Sequence, residues 1–227
     1  MANNIQYTCL IPFFNEGNRI LDTLLIATKA HSFAHIICVD DGSTDNMSET
    51  IISQFPQVEL ISLSQNKGKS YAIFSGLEAS HTSHVFLLDA DLKGLTPEEL
   101  DLAITRYEEH HLDMLILGRK DSNLFVRLNR GDVLFSGQRI MKATDLHTIF
   151  LKQPSDYQLE IAINMFMRQH KKSVAWMTSA ILNTYKSHKW GFIQGVKQEI
   201  AMAWDLVHYA GIREYVVQIL TFSKQQV

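Results

Sequence analysis

The sequence predicts an α/β fold: a mostly parallel sheet flanked by helices, with a helical C-terminal region. Three observations carry that prediction. Short β-rich runs at 5–11, 35–39, 58–63, 84–88 and 113–117 alternate with stretches of helical spacing, which is the pattern of βαβ units. The runs are almost continuously apolar, as strands covered on both faces are. The 227-residue chain is 46% hydrophobic and 20% charged, ample for a real core.

The elements follow in order. Tyr7-Thr8-Cys9-Leu10-Ile11 reads as the first strand, and Ile20, Leu21, Leu24, Leu25 and Thr28 mark one face of the helix after it. The run ending Ile36-Ile37-Cys38-Val39 is the second strand, followed by a helix marked by Ile51, Ile52 and Phe55. Tyr71, Ala72, Phe74 and Leu77 pattern the third helix. The fourth opens with Thr96-Pro97-Glu98-Glu99, a threonine cap, a proline at the first helical position and an acid three residues past the cap. Residues 118–132 are polar and basic without a clean period and read as a loop. A helix is expected after Ser155-Asp156, a late strand at 173–178, and one or two helices over 190–222. No linker splits the chain, so 1–227 is expected to form one domain.

Charge and composition exclude several classes of function. With 21 Lys+Arg against 24 Asp+Glu the formal net charge is -3, which gives no blanket attraction for nucleic acid. No apolar run approaches the ~20 residues of a membrane-spanning helix. Met1–Tyr7 has neither the basic start nor the apolar stretch of a signal peptide. Cys9 and Cys38 lie inside apolar runs without a Cys-x-x-Cys partner, as expected of two reduced core cysteines in a cytoplasmic protein.

Polar clusters fall at the carboxyl ends of four successive strands, where parallel α/β sheets bind their ligands. They are Pro12-Phe13-Phe14-Asn15-Glu16, Asp40-Asp41-Gly42-Ser43-Thr44-Asp45, Asn66-Lys67-Gly68-Lys69 and Asp89-Ala90-Asp91. In extended backbone Asp89 and Asp91 share a side, with Ala90 facing away. Two carboxylates so close suit a shared Mg²⁺ or Mn²⁺, completed by water and substrate phosphate; the plainer alternative is an acidic loop. Gly42 suits a turn and Ser43 a helix cap. The adjacent acids Asp40 and Asp41 exceed what a turn needs and suit nucleobase N–H donors or sugar hydroxyls. Lys69, near a helix start, either complements phosphate or stands solvated.

As a set, Pro12-x-Phe14-Asn15-Glu16, Val39-Asp40-Asp41-Gly42-Ser43-Thr44-Asp45, Asn66-x-Gly68-Lys69 and Leu88-Asp89-Ala90-Asp91-Leu92 resembles the nucleotide-sugar half of glycosyltransferase family 2, the GT-A fold. The likeness runs over roughly residues 5–120. Ser136-Gly137-Gln138-Arg139 and Tyr157-Gln158-Leu159-Glu160 more weakly resemble the acceptor half of the dolichol- and polyprenyl-phosphate sugar transferases. That resemblance implies a nucleotide-sugar-binding half at 1–120, with an acceptor half and C-terminal helices at 121–227. It implies a nucleotide site built from Pro12, Phe14, Glu16, Asp40 and Asp41, and a metal, Mg²⁺ or Mn²⁺, held by Asp89 and Asp91. Arg119, Arg127, Arg130 and Arg139 would meet acceptor or leaving-group phosphates, or else belong to a solvated basic loop.

The chemistry so implied is a metal-assisted, inverting transfer of a sugar from a UDP- or GDP-linked donor, with a lipid or polyprenyl phosphate among the acceptors. Glu160, with Asp156 second, would be the base for a hydroxyl acceptor and a positioning group for an already ionised phosphate. One departure stands out: the polyprenyl-phosphate branch usually has a glutamine on the metal two residues past the second aspartate, and here that residue is Lys93, which has no lone pair to offer. Asp-x-Asp also resembles the phosphatases of haloacid dehalogenase type, but Lys93 and the position after a fourth strand speak against them. A catalytically idle relative that binds a nucleotide sugar or a partner protein is the remaining alternative. Trp190, Phe192, Ile193, Val196, Ile200, Trp204 and Val207 form an apolar stripe within 189–222, suited to packing on the domain or to peripheral contact with a membrane. The histidines show no recognised metal spacing: His110 and His111 read as surface residues and His188 as a weak candidate for an extra ligand.

Overall fold

The structure is a computed structural model that describes residues 6–119, 131–152, 154, 158–181, 211–223 and 225–227. The strands are β1 (Tyr7–Phe13), β2 (Phe33–Asp40), β3 (Glu59–Ser62), β4 (His84–Leu87), β5 (Met114–Arg119), β6 (Arg139–Lys142), β7 (Val174–Ser179) and β8 (Gln225–Gln226). They form one sheet in the order β3-β2-β1-β4-β6-β5-β7-β8. β6 runs antiparallel to both β4 and β5, and the other pairings are parallel. The helices are α1 (Arg19–Ala27), α2 (Met47–Gln54), α3 (Lys69–Ala79), α4 (Pro97–Glu109), α5 (Gly131–Leu134), α6 (Ala143–Phe150), α7 (Leu159–Gln169) and α8 (Ile212–Thr221).

The period of two in the strands builds a core on each side of the sheet. Cys9, Ile11, Phe13, Phe86, Leu115 and Leu117 face one layer, with Ile20 and Leu24 of α1, Ile51 of α2 and Leu100 and Ala103 of α4. Leu10, Ile37, Val39, Val85, Met114 and Ile116 face the other, with Ile73 and Leu77 of α3, Leu146 of α6 and Ile163 of α7. This is the three-layer α/β arrangement predicted, and the sheet runs unbroken through both halves of the chain. Cys9 and Cys38 are buried free thiols, and burial pushes both pKa values up. Thr96 caps α4 as expected, accepting the Glu99 N–H.

The structure corrects the sequence reading in several places. The loop expected over 118–132 gives way to α5 at Gly131, and no element is expected over 133–150, where β6 and α6 lie; β6 fills the centre of the sheet, and its first residue is a buried arginine that interrupts any apolar run. Leu25, Ile52 and Tyr71, expected on buried helix faces, are exposed. Ser43 does not cap α2, which starts at Met47. Among the described residues no helix is long and apolar enough to cross a membrane. The stripe from Trp190 to Val207 lies outside the described residues, as do Arg127, Arg130, Asp156 and His188. The exposed His110 and His111 sit at the end of α4.

At the N-terminal end of the parallel strands, His84 is buried between the Tyr7 and Tyr107 rings, 5.3 Å and 5.6 Å away. Its Nδ1 lies 2.8 Å from Ser83 Oγ. Burial, then Lys142, holds its pKa below the usual value against the opposing pull of Glu108 and Asp145. A depressed histidine pKa means that the fold binds the neutral ring, so the unfolded chain takes up more protons as pH falls through about 6.5. Melting temperature is therefore expected to fall between about pH 7 and pH 5. A His84→Gln variant should show a flatter pH profile; an unchanged slope would remove His84 from the cause.

Candidate active site

The loop after β1 starts where the sheet changes partner. Pairing of β1 with β4 ends at Leu10, so Pro12, buried and paired only with Val39 on β2, needs no N–H toward β4. Beyond it the β1 and β2 loops are tied together. Asn15 N–H donates to Ser43 Oγ (2.9 Å), Thr44 N–H to Asn15 Oδ1 (2.8 Å) and Gly17 N–H to Asp45 Oδ2 (2.9 Å). Phe14 stands 41% exposed at the rim of this tied pair.

Asp40 and Asp41 turn inward. Both are buried, and their oxygens accept from the chain itself. Asp40 takes the Ser43 N–H (2.8 Å) and the Ser48 hydroxyl. Asp41 takes the N–H groups of Lys67 and Gly68, each at 2.8 Å, and so fixes the turn that opens α3. The donors expected from a nucleobase are here backbone amides, and the pair acts first as a loop clamp. Gly42 completes it: its φ is +75°, and a Cβ there would stand 2.6 Å from the Gln65 carbonyl carbon.

Asp89-Ala90-Asp91 is a turn rather than the extended segment expected. β4 ends at Leu87, Ala90 is buried in the core, and its carbonyl accepts the Thr23 hydroxyl at 3.0 Å. The two carboxylates then have different neighbours. Asp89 Oδ1 lies 2.7 Å from Lys69 Nζ, and its Oδ2 accepts from Gln138 Nε2 at 2.6 Å. Asp91 Oδ2 lies 3.9 Å from Arg19, whose guanidinium also holds Glu16 at 2.6 Å. Glu16 is thus in the site, facing Arg19.

Lys69, the first residue of α3, is neither solvated nor awaiting a phosphate alone. Its ammonium bridges Asp89 and Glu160, the latter at 3.3 Å. Burial works against the charge, but the two carboxylates outweigh it and hold the lysine pKa above its usual value. Glu160 lies in the first turn of α7, so this one cation joins the ends of β4 and α3 to the second half of the chain.

Arg139 corrects the expectation of a substrate contact. It is fully buried, with Nε on Ser136 O (2.7 Å), Nη1 on Asn164 Oδ1 (2.6 Å) and Nη2 on Leu134 O (2.8 Å). Burial pulls its pKa down to about 10, although Glu160 and Asp89 act to raise it. All three nitrogens are spent within the protein, so Arg139 braces the loop before β6 and, through Asn164, helix α7. Arg119 ends β5, and of it only the backbone is described. Lys93 is exposed.

Three participants escaped sequence reasoning: Arg19, Gly137 and Gln138. Arg19 had a signal, being a cation three residues past Glu16 at a helix start. Gly137 and Gln138 stand within a quoted motif, but nothing in their spacing announces contact with a turn 48 residues earlier. A Cβ at Gly137 would lie 2.7 Å from Asp89 Oδ1 and 2.9 Å from Lys69 Nζ, so any other residue there would displace the carboxylate and the ammonium from their present positions.

Among the described residues no group of three or more His, Cys, Asp or Glu side chains gathers to hold a metal. The donor set still fits Mg²⁺ or Mn²⁺ in the way those ions bind beside phosphates, through one or two carboxylates with substrate oxygens and water. Asp91, whose side chain is 35% exposed, is the carboxylate better placed to offer itself; Asp89 already serves Lys69 and Gln138.

The sheet order and the helices on both of its faces are those of the GT-A fold. The chain belongs to glycosyl transferase family 2, whose model matches residues 8–176. It is 29% identical over 213 residues to poly-beta-1,6-N-acetyl-D-glucosamine synthase of Staphylococcus aureus, a match covering 88% of this chain and 50% of that one. It is 25% identical over 136 residues to dodecaprenyl-phosphate galacturonate synthase of Rhizobium johnstonii, covering 56% of this chain and 40% of that one. The chain thus spans at most about half the length of these curated relatives. Among solved structures, glucosyl-3-phosphoglycerate synthase from Mycobacterium tuberculosis, in complex with Mn²⁺, UDP and glucosyl-3-phosphoglycerate, superposes with a TM-score of 0.70 at 15% identity, covering 95% of this chain and 80% of that one.

Proposed function

We propose that the protein transfers a sugar from a nucleoside-diphosphate sugar to an acceptor oxygen, with inversion at the anomeric carbon. The observation that supports this reading is the Lys69 bridge between Asp89 and Glu160, which ties the turn after β4 and the start of α3 to the first turn of α7. The nucleoside would lie along Phe14, Glu16 and the loop clamped by Asp40 and Asp41, with the diphosphate directed at Lys69. Asp91, with Asp89 beside it, would hold Mg²⁺ or Mn²⁺, which when bound stabilises negative charge on the departing diphosphate.

The acceptor oxygen attacks the anomeric carbon as the bond from that carbon to the diphosphate oxygen breaks. Lys69 is the chain's own cation nearest the growing charge. Where the acceptor is a hydroxyl, Glu160 takes its proton; where it is a phosphate, such as the lipid phosphate named in the Rhizobium relative, Glu160 orients it. The complexes of the mycobacterial neighbour with Mn²⁺ or Mg²⁺ and UDP support the choice of ion and of nucleotide class. We assign all 227 residues to one working domain, supported by the continuous sheet. Peripheral membrane contact through 189–222 belongs to the lipid-acceptor form of this proposal.

Thermal melts with UDP and with GDP, each with and without Mn²⁺, test the reading. One nucleotide at a hundred times its Kd should raise Tm by about 5 °C in the presence of the metal. A panel of UDP- and GDP-sugars should then show release of the nucleoside diphosphate. Binding without release would establish the idle-relative alternative, and no shift with either nucleotide would overturn the assignment.

A further inference from the structure

Gln138 is fully buried, yet its side chain ends on the donor-side carboxylate. Nε2 donates to Asp89 Oδ2 at 2.6 Å, and Oε1 lies 2.9 Å from Ser136 Oγ. The single hydroxyl proton of Ser136 is shared between Oε1 and Leu117 O of β5, which lies 2.6 Å away. The amide orientation follows from chemistry: an ionised carboxylate only accepts, so the nitrogen must face Asp89 and the oxygen must face the hydroxyl. Gly137 removes the Cβ that would otherwise strike Asp89 and Lys69. Arg139 closes the same four-residue strap by holding the Ser136 carbonyl. The strap therefore presents one neutral donor, at one distance, to one oxygen of Asp89.

Resting on the proposed transfer reaction, we propose that Gln138 is a positioning residue that turns the Asp89 carboxylate so that Oδ1 faces Lys69. A carboxylate held by one contact can swing about its Cβ–Cγ bond; a second, rigid donor on the other oxygen fixes the plane. Asp89 so fixed holds the ammonium between the donor side and Glu160. The donor is neutral, so it orients Asp89 without competing for the role of cation.

Two near-isosteric variants separate positioning from packing. Gln138→Met keeps length and volume but has no N–H. Gln138→Glu keeps the acceptor for Ser136 and sets a second carboxylate against Asp89. The first readout needs no substrate: zero-length carbodiimide coupling of Lys69 to Asp89 or to Glu160, with the linked peptides quantified by mass spectrometry on the folded, monodisperse fraction. In the wild type the Asp89 link should predominate, and Gln138→Met should lower its ratio to the Glu160 link by roughly fivefold or more, as expected when a contact loses its orientation. Ser136→Ala, which frees the other end of the amide, should shift the ratio in the same direction by less. The second readout is nucleoside diphosphate release, where both variants should lose about 100-fold in kcat with a much smaller change in donor KM, while Tm stays near the wild-type value. A wild-type coupling ratio in Gln138→Met would overturn the proposal whatever the turnover, since that variant keeps the packing and removes only the donor. The coupling ratio decides the matter even if no nucleotide sugar is ever turned over, so failure of the transferase reading and failure of this one remain distinct.

Discussion

Lys69→Met is expected to reduce sugar transfer by at least about 100-fold, the scale seen when a single stabilising donor is removed from a site where charge develops. Asp89 and Glu160 stand 2.7 Å and 3.3 Å from one ammonium, with side chains only 22% and 14% exposed. Methionine fills much of the space and removes the charge. Two partly buried carboxylates then share a site with no cation between them, and like charges so placed disfavour joint ionisation. On the proposed reading, the variant would lose the positive group directed at the diphosphate and also disturb the candidate base. Lys69→Arg should recover part of the rate, because it restores the charge without the compact point geometry of an ammonium. Lys69 is itself about a third exposed, so Tm should change little. Initial rates of nucleoside diphosphate release, measured beside a melt, check the prediction; wild-type rates in Lys69→Met would remove the lysine from the mechanism.

What the sequence made legible divides along physical lines. The order of β1 to β5 with their helices could be read because strands covered on both faces carry unbroken apolar runs, and Cys9, Leu10 and Ile11 are all buried. The acids at the strand ends could be read because they break the apolar runs where the strands stop. β6 could not. It enters the sheet out of chain order, between β4 and β5, and it begins with a charged residue. No local period distinguishes an arginine like Arg139, satisfied by the carbonyls of Leu134 and Ser136 and by Asn164 of α7, from a solvated one. Faces of short helices were also overread: in α2 the neighbours Ile51 and Ile52 lie 0% and 64% exposed, and two adjacent apolar residues do not fix which one turns inward.

The same limit explains the partial reading of the site. That Asp89 and Asp91 both matter could be argued from type and spacing. That they face different cations depends on a turn at Ala90, held by Thr23 from α1, and a tertiary hydrogen bond leaves no mark on local spacing. The sequence reading treated the pair as one metal site because extended backbone would have aimed both side chains together. The turn instead gives Asp89 to Lys69 and Gln138 and leaves Asp91 toward Arg19. On the proposed reading, one motif would serve two tasks, organising the chain's own cation with its first carboxylate and offering the second to an exogenous one.

Asp91→Asn tests that division and should have the other large effect. Asparagine keeps the shape of the side chain and one acceptor oxygen, but not the negative charge that a hard divalent ion requires. Nucleoside diphosphate release is expected to fall by about 100-fold to 1,000-fold. The metal-dependent part of the nucleotide's thermal shift should vanish with it. Stability without ligands should change little, because the Asp91 side chain is 35% exposed and partly exposed charge contacts contribute little. Asp89→Asn should behave differently. It weakens the Lys69 bridge and opposes the Gln138 amide, so some loss of turnover should persist whatever the metal concentration. If excess Mn²⁺ rescues Asp89→Asn as readily as Asp91→Asn, the two carboxylates share one role and the division drawn from their separate partners is wrong.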